Sequence, residues 1–133
     1  MEIKDFMVGP QLIGLLFVLI GLMQKYLPPK KINGWYGYRT ATAKSSQQLW
    51  DEGNRYSALY MIKAGLIVLV IGYFINAASI LYVPDAATRQ WISYVILFGG
   101  AMGIGILSTM STEKHLKKNF KVPPVKPANK KRK

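Results

Sequence analysis

Cysteine is absent from the 133 residues, histidine occurs once and carboxylates number six. The first absence excludes disulfides and thiol chemistry and leaves the redox compartment open. The second leaves His115 without a companion ligand, so neither a metal site nor a cofactor is expected. The few acids do not form an acid–base pair, because Asp51 and Glu52 are adjacent and project about 100° apart on a helix. Also missing are a nucleophile–base pair, a glycine-rich phosphate loop and a carboxylate relay within an apolar stretch. The expectation is a chain that is not an enzyme.

Charge is missing from three long blocks, Phe6 to Gln24, Ala64 to Pro84 and Gln90 to Thr112. A bilayer's hydrocarbon core takes about 20 apolar residues of helix, at about 1.5 Å each. The blocks are continuous, where a soluble domain would carry amphipathic stripes. An all-α membrane protein is expected, with transmembrane helices over about 7–27, 58–82 and 91–112 as one domain, residues 1–118. Glu2 and Asp5 precede the first block, and no small-residue cleavage site follows it. It therefore reads as an anchor, not a removable signal.

Lysine and arginine total 18, with a net charge of +12. Sixteen of them lie in the first connection or after the third block, and only Lys4 and Arg89 lie on the other side. The positive-inside rule then places the N-terminus outside, the first loop inside and the C-terminus inside the cytoplasmic (inner) membrane of a bacterium. This placement removes the need for a nucleic-acid partner and makes anionic lipid headgroups the first one expected.

Pro28-Pro29 should stop the first helix. Residues 28–57 are expected to hold a loop and an interfacial helix opened by Ser45 as N-cap with Gln48 three residues on. An Asp51–Arg55 pair and a bend near Gly53-Asn54 are expected on that helix. Asp85 is a candidate cap for the third helix. Residues 119–133, with Pro123-Pro124 and Lys130-Lys131-Arg132-Lys133, read as a disordered basic tail. Gly65 and Gly72 on the second span and Gly99 and Gly103 on the third form small-residue faces for helix packing, and homo-oligomerisation stays open. Asn76 is expected to hydrogen-bond across helices, and Lys63 to anchor at the inner edge or pair with Asp51 or Glu52.

The densest polar constellation is Asn33, Trp35, Gly37, Tyr38, Arg39 and Thr40, followed by Ser46 and Trp50. Aromatics at headgroup depth and an arginine that forks onto phosphate or carboxylate suit either an interface anchor or a recognition site. The spacing Asn-x-x-x-Gly-Tyr-Arg-Thr, then Ser46 and Trp50, resembles the signature of the SdpI family of small bacterial membrane proteins. Ala41-Thr42 stands where that family often has a proline. The resemblance implies immunity or signalling: a toxin peptide, a protein partner or a lipid headgroup recognised by the loop and helices, with no catalytic role for the motif. An accessory subunit of a larger membrane complex is the second reading. A small transporter or membrane enzyme comes third.

Overall fold

The computed structural model describes residues 9–124. Among these residues every regular element is helical: α1 (Gln11–Tyr26), a 3-10 turn (Ala43–Ser45), α2 (Gln47–Tyr82) and α3 (Ala86–Asn119). At about 1.5 Å per residue, the 36 residues of α2 and 34 of α3 reach about 54 and 51 Å. Both are long and apolar enough to cross a membrane; α1 is apolar but has 16 residues. Each of the long helices also outreaches a hydrocarbon core of about 30 Å, so part of it projects beyond one.

The ends follow local chemistry. α1 stops at Tyr26, with the Leu27 amide donating to the Met23 carbonyl just ahead of the two prolines. Asp85 caps α3, accepting from the Thr88 amide at 2.7 Å. The cap of α2 is Ser46, one residue beyond the expected Ser45. Ser46 is extended and its hydroxyl accepts from the Leu49 amide, whereas Ser45 closes the 3-10 turn by donating to the Thr42 carbonyl at 2.6 Å. The expected interfacial helix is the first part of α2, which runs unbroken through Gly53-Asn54 into the apolar stretch. Asn54 bonds back to the Trp50 carbonyl one turn earlier, which keeps its polar side chain inside the helical course.

α1 and α2 meet through glycine. A Cβ on Gly65 would lie 2.8 Å from the Gly14 carbonyl and 2.9 Å from the Val18 amide; one on Gly72 would lie 2.7 Å from the Gln11 amide. In lipid, where helices gain little from hydrophobic expulsion, such backbone proximity is the main source of association. Asn76, buried against the same junction, would touch a Cβ on Gly9. α3 behaves differently. Its buried residues, Ile104, Ser108, Thr112 and Leu116, recur every four positions and occupy only its second half. Gly99 and Gly103 therefore meet nothing within 4 Å, which corrects their expected role in packing the chain on itself.

The hydrophobic core lies at the loop end and not midway along the helices: Tyr38, Ala43, Leu49, Trp50 and Leu116 cluster there. Phe120 and Val122 pack onto it, so the stretch after α3 is not a free tail from residue 119 as expected. The tail beyond Pro124 lies outside the described residues.

Candidate functional site

The first connection is a set of turns locked to all three helices. Asn33 opens it, its Oδ1 accepting from the amides of Trp35 (3.0 Å) and Tyr36 (2.9 Å). Tyr36 donates its hydroxyl back to the Leu27 carbonyl. Gly37 has φ +94°, and a Cβ there would strike Pro29 at 2.7 Å as well as the Asn54 carboxamide. Only glycine satisfies both demands. The chain so passes directly over Asn54, whose Oδ1 receives the Tyr38 amide at 2.6 Å.

Asn54 is the hub. It is 2% exposed, and the Gln24 carboxamide of α1, also buried, donates to its Oδ1 at 3.1 Å, its carbonyl at 3.0 Å and the Ser57 hydroxyl at 2.8 Å. Trp50, wholly buried, donates its indole N–H to the Pro29 carbonyl. The end of α1, the loop and the start of α2 thus share one satisfied polar network, which rigidifies them together.

Glu113 of α3 forms a second knot. Its two oxygens accept from the hydroxyls of Tyr38 (3.0 Å), Thr40 (2.6 Å) and Thr42 (2.7 Å), with Lys117 3.5 Å away. Burial pushes this carboxyl up, but the three hydroxyls and Lys117 together outweigh it and hold it below its ordinary range. The single phenolic hydrogen of Tyr38 is shared between Glu113 and the Thr109 carbonyl, 3.2 Å away, and the ring settles on Gly53, where a Cβ would lie 3.0 Å away. Burial foremost, and the Glu113 charge after it, push the phenol above its ordinary range despite an opposing contribution from Thr40.

A third cluster joins α2 and α3 near the loop end of α2. Arg55 forks onto Glu52 at 2.7 and 2.8 Å, three residues apart; Asp51, the partner expected for Arg55, accepts from Gln47 instead. His115 closes on Glu52 at 2.7 Å and stacks on Tyr56 with centroids 4.1 Å apart. Lys63 is exposed and takes neither acid. Arg55 first, then His115 against the upward push of burial, keep Glu52 below the usual carboxylate range.

The expected site residues therefore divide. Asn33, Gly37, Tyr38, Thr40, Ser46 and Trp50 are consumed in building the loop. Trp35, 88% exposed, and Arg39, whose one hydrogen bond is to the Gly34 carbonyl at 2.7 Å, are left facing outward. Gln24, Thr42, Asn54 and Glu113 escaped sequence reasoning. The available signals were weak: two polar residues, Gln24 and Asn54, beside apolar blocks, and the first acid after the third block.

Two helices long and apolar enough to cross a membrane, joined at one end by a polar knot, point to the class of small helical membrane proteins. The sequence model of the SdpI/YfhL protein family matches residues 30–112, the stretch containing most of the loop, all of α2 and α3 as far as Thr112. The chain belongs to that family. It is similar to the "Uncharacterized protein YfhL" of Bacillus subtilis (strain 168), at 38% identity over 104 residues, 78% of this chain and 82% of that protein. No solved structure matches the chain.

Proposed function

We propose that this chain is a non-enzymatic recognition protein of the bacterial cytoplasmic membrane, of the immunity and signalling type. In this reading the chain crosses three times, with the Trp35–Arg39 surface and the C-terminus inside, and the one-sided distribution of lysine and arginine supports it. The carrying observation is the division within the motif: six residues hold a rigid loop so that Trp35 and Arg39 stand outward on it. A rigid support lowers the ordering penalty of binding, and a guanidinium beside an indole suits a carboxylate or phosphate with an apolar neighbour. The partner class is a toxin peptide, a membrane or cytosolic protein, or an anionic headgroup.

Crosslinking pull-down from native membranes tests the reading. Arg39→Lys is expected to insert and fold as wild type while losing at least about fivefold in partner recovery, because the planar fork is gone. Recovery equal to wild type removes Arg39 from recognition. Survival of cells challenged with membrane-active peptides, with and without the gene, separates immunity from signalling.

Orientation has its own check. The chain lacks native thiols, and Ala41 is exposed on the loop, so Ala41→Cys reports sidedness cleanly. It should resist an impermeant maleimide on intact cells and react after lysis; labelling of intact cells overturns the threading. The second reading, an accessory subunit of a larger complex, is favoured by the unfilled Gly99 and Gly103 face of α3.

A further inference from the structure

Where α1 ends and α2 begins, a groove of about 540 Å³ opens beside Pro28-Pro29, away from Trp35 and Arg39. Its charged lining is Lys25, Lys30 and Arg55 with one carboxylate, Asp51, and Leu59 forms its apolar end. Among the described residues, Lys25 and Lys30 have no carboxylate within ion-pair reach. Arg55 gives Nε and Nη2 to Glu52, which leaves Nη1 for another oxygen acceptor. Asp51 is held in place by Gln47, which also donates to the Lys30 carbonyl, so both rims of the groove are fixed by one carboxamide.

We propose that this groove binds the phosphate-bearing headgroup of an anionic glycerophospholipid. Lys25, Lys30 and Arg55 take the phosphate oxygens. Asp51 accepts from hydroxyls on the headgroup substituent, and the first acyl carbons run along Leu59 toward the membrane. Two lysines without an ion-pair partner, facing one acid, favour a net negative headgroup over a zwitterionic one, while Arg55, its charge matched by Glu52, adds a directed donor. The apolar end favours a lipid over a free phosphate ester. The proposal rests on the reading of α1 and α2 as membrane-crossing, but not on partner recognition by Arg39.

Native mass spectrometry of the detergent-purified full chain, exchanged into phosphatidylglycerol or phosphatidylcholine, tests it. One phosphatidylglycerol is expected to be retained in preference to phosphatidylcholine. The Lys25→Gln/Lys30→Gln variant, altered only at exposed positions, should lose that preference about tenfold or more. Arg39→Lys should keep it, which separates this site from the loop surface. A variant with glutamines at Lys130, Lys131, Arg132 and Lys133 should keep it as well, which excludes the tail as its source. Loss of preference in either of those controls overturns the proposal, as does equal retention of both lipids or an unaffected double-glutamine variant. Glycerol phosphate at millimolar concentration should compete weakly; full displacement by it assigns the groove to a free phosphate ester and overturns the lipid.

Discussion

Glu113→Ala is expected to lower the stability of the detergent-solubilised protein by about 3 kcal/mol, since the Thr40 and Thr42 hydroxyls lose their acceptor in a partly buried place and Tyr38 is left with the Thr109 carbonyl alone. Thermal unfolding followed by near-ultraviolet circular dichroism reads it directly, because the Tyr38 ring loses its anchor while α2 and α3 remain helical. Glu113→Gln keeps one acceptor oxygen and should recover about half of the loss. The pH dependence separates this reading from simple loss of packing. The folded carboxyl is held below its ordinary value of 4.5, so its contribution is complete above that value and fades as pH falls through the folded one. The gap between wild type and Glu113→Gln should therefore narrow in acid. A gap that is constant from pH 7 to pH 3 would mean that the carboxylate charge does not hold the loop.

That knot also shows where sequence reasoning runs out. The stop of α1, the cap of α3 and the apolar runs were legible because their causes are local. Pro28-Pro29 lies two residues after the end of α1, and Asp85 meets Thr88 within one turn. The contacts that build the site join residues 71 to 75 positions apart for Glu113 and 30 or more for Gln24 with Asn54 and Ser57. No periodicity encodes such pairs, since each partner alone is an unremarkable polar residue beside an apolar block. The Arg55 partner is instructive, because acids three and four residues away are equally suited on one helix. Glu52 prevails over Asp51, and it is Glu52 that faces His115 on α3. The family motif fared better as a pointer than as a site. It falls on the loop that joins all three helices, yet most of its residues support Trp35 and Arg39 instead of displaying themselves.

Glycine gives the sharpest contrast, and the second large effect. Gly65→Ala is expected to destabilise the folded protein by about 2 kcal/mol, because the new methyl meets backbone of α1 that cannot rotate away. Gly99→Ala should be at least as stable as wild type: nothing lies within 4 Å, and alanine favours the helix by up to about 1 kcal/mol. Unfolding of both variants under a graded denaturing detergent compares them side by side. Equal losses would show that α3 packs through its Gly99 face, against the geometry described. If Gly99→Ala leaves stability intact but changes the size of the detergent-extracted species, the glycine face of α3 serves a contact between chains. Both positions belong to small-residue faces that look alike in the sequence. What distinguishes them is whether another backbone has come close enough for a methyl to matter. Of the two, Gly65, opposite the Gly14 carbonyl and the Val18 amide, meets that condition and Gly99 does not.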